Sequence, residues 1–485
     1  MKIKSLKHNF IMYSVRMISG LLFTLLVFPY VARILGPENL GKVQFTGSII
    51  MYFILFINLG IPSYGKREIA FVRDNREKMS ILVLELLIIL LLTTGIISLM
   101  YILSINFIPY LEQYKALLYL YFIYIILNFM GVEWFYQGIE NQEYITKRSI
   151  LFKIISGIFI FVLIKDRNDY LIYVGILIFS LMGSNILNFK KLFQYVSFDK
   201  EMLKKIRLKK HFNPILILFT TSLATTIFSN FDSVMVRTLV DERTLGYYSI
   251  ANKLGRMPLM ITTAVFTVFY PRLCNLINKK KYKEYYKLGN QGLDLSLIIA
   301  VPSAIGMFIL APDIIQLLAG SEFLEAISVF RIFSFLIPVM AFAFFSGQNL
   351  IANNQEKVFM KGQVIASVAN IIFNFIFIPI FKASGAAVGT ILAECIAISY
   401  RLISGREVFK NFSLIDKNKI KILLASIIMG IVIYLFRINL QSQLFLKLLI
   451  LISIGIIIYI LSLIILKEKN IQDFIKDKIV INRRS

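Results

Sequence analysis

The 485-residue sequence has few of the side chains that build metal centres and catalytic sites. It contains two cysteines, Cys274 and Cys395, and two histidines, His8 and His211. The cysteines are far apart and lie in or beside apolar runs, which matches no metal-ligand spacing, so we interpret them as packing residues. The histidines lie at predicted helix ends, where we expect interfacial contacts. The sequence therefore predicts neither a metal site nor a cofactor.

Motifs for nucleotide chemistry are also absent. No segment matches G-x-x-x-x-G-K-[ST], which argues against a self-contained ATP-driven pump, and no D-x-D is present to hold a metal-bound nucleotide sugar. The predicted extracytoplasmic loops are short, whereas a membrane polymerase or glycosyltransferase of this size would need a sizeable one for its acceptor. We therefore do not expect an enzyme.

Long polar segments are missing as well. The chain is 58% hydrophobic, above the roughly 50% of soluble domains. Apolar runs of about 20 residues, the length that crosses a bilayer, occupy most of it and predict an all-α integral membrane protein with about fourteen transmembrane helices. The predicted spans are 9–35, 41–65, 80–104, 114–138, 148–165, 169–190, 212–240, 245–272, 286–311, 326–352, 358–381, 385–405, 418–437 and 442–466.

Acidic residues are scarce relative to basic ones, 28 against 53, giving a net charge of +25. The basic residues concentrate in alternate loops, whereas residues 36–41 and 312–325 contain none. Membrane insertion selects this pattern, with basic loops on the cytoplasmic side. We therefore predict a multi-pass protein of the cell membrane with both termini in the cytoplasm, and no nucleic-acid partner.

Two motifs occur twice. The segment from Arg33 through Gly36 to Gly41 returns between Arg237 and Gly246, at a second predicted outer hairpin. Asn-Gln-Glu at residues 141–143 returns at residues 354–356, at a second predicted inner loop. Because both copies keep their side of the membrane, they predict parallel repeats, the architecture of a transporter with a central cavity.

The repeats divide the chain into four parts. Residues 1–196 and 212–410 form an N-terminal and a C-terminal lobe of six spans each. Residues 197–211 join them, as an amphipathic helix on the inner leaflet or as a solvated linker. Residues 411–485 add spans thirteen and fourteen and a cytoplasmic tail.

Basic side chains inside predicted spans are the candidate binding residues. Each costs about 2.5–3.5 kcal/mol at the centre of a helix, so each should face a cavity or a partner. Lys253 and Arg256 lie near mid-membrane, and an ion pair with Asp232 would neutralise only one of them. Snorkelling to the surface is the alternative for Arg16, Lys153 and Arg331. A lining of these five residues would suit a diphosphate.

Acidic side chains inside spans have two interpretations. Asp294 and Glu394 lie within predicted spans nine and twelve, and Asp232 lies in span seven. Each could carry a coupling proton or sodium ion, or could be the counter-charge of a neighbouring base.

The chain resembles a known family at three segments: Ala32 to Gly41, Gly138 to Glu143, and Gly385-Ala-Ala-Val-Gly389. These are similar to the Wzx-type flippases of polysaccharide and O-antigen synthesis, in the multidrug/oligosaccharidyl-lipid/polysaccharide exporter superfamily. The resemblance implies two six-helix lobes around a V-shaped cavity, alternating access, and undecaprenyl pyrophosphate carrying one oligosaccharide repeat unit as the substrate. A polysaccharide polymerase and a chain-length regulator would be its protein partners.

Other functions stay open from sequence. A flippase for lipid II or a teichoic-acid-type precursor would share the fold and the basic lining. A drug or cation antiporter of the same superfamily would need an acidic cavity, whereas the embedded charges here lean basic at spans seven and eight. A membrane polymerase or ligase would need acid and base groups on an outer loop.

Overall fold

The computed structural model describes residues 6–197, 199, 202 and 204–472. These residues form helices, turns and loops, with no β-strand among them. Nine helices in this part of the chain are long and apolar enough to cross a membrane, or ten if a bent pair within residues 209–239 counts as one span. The prediction of an all-α membrane protein is confirmed, and the number of fourteen spans stays a prediction.

The chain divides into two compact units, Met1–Arg237 and Thr238–Ser485. The division falls within a helix, so the predicted lobe boundaries at residues 196 and 212 stay a prediction. The first unit contains α1 (Leu6–Asn58), α2 (Ile61–Val72), α3 (Arg76–Phe107), α4 (Lys115–Phe129), α5 (Glu133–Gly138), α6 (Gln142–Leu163), α7 (Tyr170–Ile178), α8 (Asn185–Leu192) and most of α9 (Lys209–Leu239). The second contains α10 (Glu242–Gly255), α11 (Leu259–Asn278), α12 (Tyr282–Ala319), α13 (Ala326–Ala352), α14 (Glu356–Ser404), α15 (Arg406–Phe409), α16 (Lys417–Asn439) and α17 (Leu444–Ile465).

Helix α1 contains two predicted spans and breaks at the repeated motif. Gly36 has φ 71° and ψ 173°, which is not helical, and Pro37 follows it. Glycine reaches a positive φ without the steric cost that a Cβ atom would impose. The glycine of the motif is therefore the residue at which the two segments of α1 change direction.

Helix α14 is a hairpin of two antiparallel helices. Its backbone turns at Lys382, where φ is 51°. Across the turn, the Asn370 side chain donates to Thr390 Oγ1 at 3.4 Å, and a Cβ atom on Gly385 would lie 2.2 Å from the carbonyl oxygen of Phe377. Gly385 thus permits the close approach that its G-x-x-x-G spacing predicts, and α14 corresponds to predicted spans eleven and twelve.

Both copies of Asn-Gln-Glu stand where a helix begins. The N–H of Asn141 donates to the carbonyl of Tyr136 at 2.9 Å, and the N–H of Gln355 donates to that of Leu350 at 2.9 Å. Left-handed residues occur at Glu140, just before the first motif, and at Asn354, the first residue of the second. Such bonds satisfy the last carbonyls of the preceding helix. The same helix-turn-helix connection therefore recurs in both copies, displaced by one residue relative to the repeated letters.

The linker is attached to the first unit through a buried carboxylate. Glu85 of α3 is 0% exposed. It accepts hydrogen bonds from the backbone N–H of Arg207 at 2.7 Å and from Lys210 Nζ at 2.8 Å, and it contacts His211 Nε2 at 2.9 Å. His211 is thus buried, which corrects its predicted interfacial role. Residues 198, 200, 201 and 203 of the predicted amphipathic helix lie outside the described residues.

Ion pairs join α12 to α16 near both ends of α16, and one of these positions also reaches α17. Near one end, Lys419 Nζ lies 2.8 Å from Asp294 Oδ1. Near the other, Asp313 pairs with Arg437 and lies 3.8 Å from Lys447 Nζ. Asp416 also pairs with Lys419 at 2.8 Å, and although its burial acts in the opposite direction, the hydrogen bonds from Lys419 lower the pKa of Asp416.

Candidate substrate-binding site

The first unit contains a cluster of basic side chains around one carboxylate. Arg16 Nη2 of α1 lies 2.9 Å from Glu133 Oε1 of α5, and Arg148 Nη2 of α6 lies 2.7 Å from the same oxygen. Arg148 also donates to the Ser184 carbonyl at 2.7 Å. Lys153, one to two turns along α6, lies within electrostatic range of both Arg16 and Glu133. We call Arg16, Glu133, Arg148 and Lys153 the N-unit cluster.

Three positive charges and one negative charge leave the N-unit cluster with a net charge of +2. Arg16 and Lys153, two of the predicted binding residues, are thus brought together by α1 and α6. The sequence did not indicate Arg148 as a member, because it is the first residue of predicted span five and follows Lys147 at the edge of the apolar run. The structure identifies Arg148 as a member because α6 begins earlier than predicted, at Gln142, so that Arg148 stands in its second turn.

In the second unit, Lys253 and Arg256 stand at a break between helices. Helix α10 ends at Gly255 and α11 begins at Leu259, with Pro258 between them. Lys253 is exposed, and Arg256 Nε donates to Asn252 Oδ1 at 2.6 Å. A proline at this position removes a backbone donor and disfavours a continuous helix. The break therefore places Lys253 in the last turn of α10 and Arg256 directly after it. The role of these two residues as ligands stays a prediction.

Glu394 is a buried carboxylate that lies close to basic side chains of the second unit. Its side chain is 3% exposed, and its Oε2 atom has no hydrogen-bond partner among the described residues. It lies within electrostatic range of Arg256 and Arg401. Arg401 is also buried and donates to Gln363 Oε1 at 3.0 Å. Sequence reasoning missed Arg401, which lies at the end of predicted span twelve.

The other predicted residues, Arg331, Asp232 and Asp294, each lie close to a neighbouring side chain or backbone group. Arg331 Nε donates to the Phe308 carbonyl at 3.2 Å, and its guanidinium lies 5.3 Å from the centre of the Phe308 ring. Asp232 is buried in the first unit within electrostatic range of Tyr52. Asp294 is the partner of Lys419, which favours the counter-charge interpretation for Asp294.

The two arginines of the repeated motif differ in their surroundings. The Arg237 guanidinium lies 5.3–5.9 Å from the ring centres of Phe45, Tyr110 and Tyr114, an arrangement that stabilises a cation. Arg33 is exposed, while Gly41 and Gly246 are buried. Arg237 therefore has a packing role beside the hairpin.

Curated proteins similar to this chain are named for O-antigen transport and for capsular polysaccharide biosynthesis. A provisionally named O-antigen transporter of Escherichia coli (strain K12) is 22% identical over 82% of this chain and 96% of its own length. Capsular polysaccharide biosynthesis protein CapF of Staphylococcus aureus is 25% identical over 81% of this chain and 97% of its own.

Solved structures show the same fold. The lipid II flippase MurJ, in an inward closed conformation, matches 96% of this chain and 99% of its own with a TM-score of 0.68 at 20% identity. An inward-facing multidrug transporter of the MATE family matches 83% of this chain and 99% of its own with a TM-score of 0.60 at 16% identity. The predicted MATE-like architecture is confirmed at the level of fold.

Two family models match the sequence itself. The MatE family matches residues 214–376, a part of the second repeat. The polysaccharide biosynthesis protein family matches residues 6–277, which is more than half of the chain. The protein therefore belongs to the polysaccharide biosynthesis protein family.

Proposed function

We propose that the protein flips undecaprenyl-pyrophosphate-linked oligosaccharide repeat units from the inner to the outer face of the cell membrane by alternating access. Its curated relatives are named for O-antigen transport and capsule synthesis, and MurJ, whose fold it shares, flips lipid II. These substrates combine a lipid tail with a polar, phosphate-bearing headgroup. Relatives that move drugs share the fold at a lower TM-score.

The observation that carries the proposal is the net charge of +2 on the N-unit cluster. A diphosphate headgroup cannot enter hydrocarbon without replacing the water around its phosphates, and guanidinium groups do so with paired, charge-assisted hydrogen bonds. Arg16 and Lys153 supply such donors in the first unit, and Lys253 and Arg256 in the second. The isoprenoid tail stays in the bilayer during the movement.

The driving force in this proposal is electrical. Export of an anion follows an inside-negative potential, which contributes about 2.3 kcal/mol per charge per 100 mV. A coupling ion would add to this. Glu394 is the strongest candidate for carrying it, because this buried carboxylate forms no ion pair with a described residue, whereas Asp294 pairs with Lys419. A polysaccharide polymerase and a chain-length regulator would receive the flipped product.

The location of the substrate in a deletion strain tests the proposal. Without the gene, the lipid-linked repeat unit should accumulate on the cytoplasmic face of the membrane, and surface polysaccharide should be lost. Normal flipping with failed polymerisation would contradict the proposal and would indicate an enzyme of the same pathway.

Substitutions in the N-unit cluster test the diphosphate contact. Arg16→Gln leaves Glu133 paired with Arg148, so the fold should persist. Loss of one charge-assisted hydrogen bond should lower the export rate about tenfold to a hundredfold. Lys147→Gln is the matched control, because Lys147 is 73% exposed and pairs with Glu143, outside the cluster. Full export by Arg16→Gln and Lys153→Gln proteins would exclude these residues as the phosphate contact.

A further inference from the structure

A groove opens on the first unit where the linker meets α9. Its volume is about 560 Å³, within the range of roughly 300–1,000 Å³ that is usual for small-molecule sites. The walls are almost wholly apolar and include Leu59 before α2, Leu92 of α3, and Phe212 and Leu216 of α9. Leu92, Phe212 and Leu216 are each about half exposed or more. We call this cavity the linker groove.

The mouth of the linker groove is basic. Lys209 is the basic residue that lines it, and Lys204 and Arg207 stand five and two residues before Lys209 in the linker. All three are exposed, and no described carboxylate lies within ion-pair distance of any of them. Their neighbour Lys205 is different, because its Nζ lies 2.6 Å from Glu77 Oε1. Lys209 therefore brings a positive charge without a described counter-charge to an apolar groove, and the linker carries two more such charges within five residues of it.

The contacts of Glu85 hold this arrangement in place. Its carboxylate fixes the backbone of Arg207 and the side chains of Lys210 and His211, which stand directly around Lys209. His211 Nδ1 also lies 2.6 Å from the Tyr64 hydroxyl. The linker segment that carries Lys209 is thus attached to α3 by contacts within the protein, without a bound ligand.

We propose that the linker groove binds one acyl chain of an anionic phospholipid, with the lipid phosphate at Lys204, Arg207 and Lys209. An apolar groove alone would accept any lipid, but basic side chains at the membrane surface attract anionic headgroups, each contributing a several-fold preference. Three such residues predict a preference of roughly tenfold or more for an anionic over a zwitterionic lipid. The bound lipid would stabilise the attachment of the linker to α3. The proposal does not depend on the identity of the transported substrate.

Tryptophan fluorescence can test lipid selection because the chain has one tryptophan, the buried Trp134. The variant Phe212→Trp places a reporter in the linker groove, at a side chain that is 67% exposed. The full-length protein is placed in nanodiscs with equal amounts of phosphatidylglycerol and phosphatidylcholine, and bromine is carried by only one of the two lipids. The unsubstituted protein gives the contribution of Trp134.

The expected result is that brominated phosphatidylglycerol quenches the Phe212→Trp reporter several-fold more than brominated phosphatidylcholine. A Phe107→Trp reporter, at an exposed residue at the other end of α3, should be quenched equally by both. Adding Lys209→Gln should reduce the difference, and adding Lys204→Gln and Arg207→Gln should remove it. Lys190→Gln, at an exposed lysine that does not line the groove, should leave it unchanged.

Two results would overturn the proposal. Equal quenching of the Phe212→Trp reporter by both lipids would show an ordinary annular lipid in the groove. A preference that persists in the triple variant would show that these three residues do not select the headgroup. Because Lys209 has no described partner to lose, Lys209→Gln gives an interpretable result even if the triple variant fails to fold.

Discussion

Two buried carboxylates of the second unit have different surroundings. Asp294 lies 2.8 Å from Lys419 Nζ, so its charge is compensated. Glu394 forms no ion pair with a described residue, although two arginines lie within electrostatic range of it. Neutralising Asp294 removes an ion pair and leaves Lys419 with one partner fewer, whereas neutralising Glu394 removes no ion pair. The two residues should therefore respond differently to neutralisation.

Asp294→Asn should reduce stability and leave transport by the folded protein unchanged. Lys419 keeps Asp416 as a partner, so the expected loss is about 1–3 kcal/mol in the free energy of unfolding. Thermal unfolding of the purified protein measures it. Glu284→Gln on the same helix, at a carboxylate 58% exposed, is the control and should change stability little. Loss of ion-dependent transport without loss of stability would instead assign Asp294 a coupling role.

Glu394→Gln should have the opposite effect. Glutamine keeps the shape of the side chain, so the yield of folded protein should change little, but it cannot be protonated and deprotonated. If Glu394 carries the coupling proton, transport into inverted membrane vesicles should lose its dependence on the pH gradient. Glu325→Gln, at an exposed residue preceding α13, provides the comparison. An unchanged pH dependence of the Glu394→Gln protein would exclude this residue.

The sequence indicated which charged side chains lie within helices, but it did not indicate which of them contact one another. It indicated Arg16 and Lys153 because a charge inside an apolar run is visible in the sequence itself. It did not find that Arg16 and Arg148 share Glu133, because Arg16 and Glu133 are 117 residues apart and only the packing of α1, α5 and α6 brings them together. Arg401 was missed for the same reason, since its partner Gln363 lies on the other arm of the α14 hairpin.

At the level of helices, the repeated motifs were the most accurate guide. The glycine of the first motif and both copies of Asn-Gln-Glu mark positions where the backbone leaves or enters a helix, which depends on local residues alone. The turn of the α14 hairpin was also predictable. It lies at Lys382, in the gap between predicted spans eleven (358–381) and twelve (385–405), where a charged residue interrupts the apolar run.

Gly385→Ala should destabilise the α14 hairpin. The added methyl group would lie 2.2 Å from the Phe377 carbonyl oxygen, which is backbone and cannot move without separating the two arms. Overpacking of this kind costs about 1–3 kcal/mol, and sometimes more. The yield of folded protein and its unfolding temperature measure the effect.

Gly95→Ala is the matched control for that substitution. Gly95 lies within α3, and a Cβ atom there would meet nothing within 4 Å. Alanine in an open helical position should stabilise the protein by roughly 0.5–1 kcal/mol. Equal effects of the two alanines would show that helix propensity, and not the contact with Phe377, decides the outcome at Gly385.

For the chain as a whole, the distribution of basic loops predicts which segments face the cytoplasm. Cys274 and Cys395 form no disulfide and can be replaced by serine to give a background without cysteine. In that background, Glu112→Cys should react with a membrane-impermeant maleimide in intact cells. Lys190→Cys should react only after the membrane is opened. The reverse pattern would invert the proposed topology.

The paired aspartates of α12 determine how the C-terminal helices can move. Roughly 28 Å of helix separates Asp294 from Asp313, about the thickness of the hydrocarbon layer. Because α16 is paired with α12 at both positions, we expect these two helices to move together in a transport cycle, with α17 following through its contact with Asp313. A chain cut before Lys417 would leave both aspartates without their basic partners. The last two long helices are therefore an integral part of the second unit and cannot act as a detachable accessory.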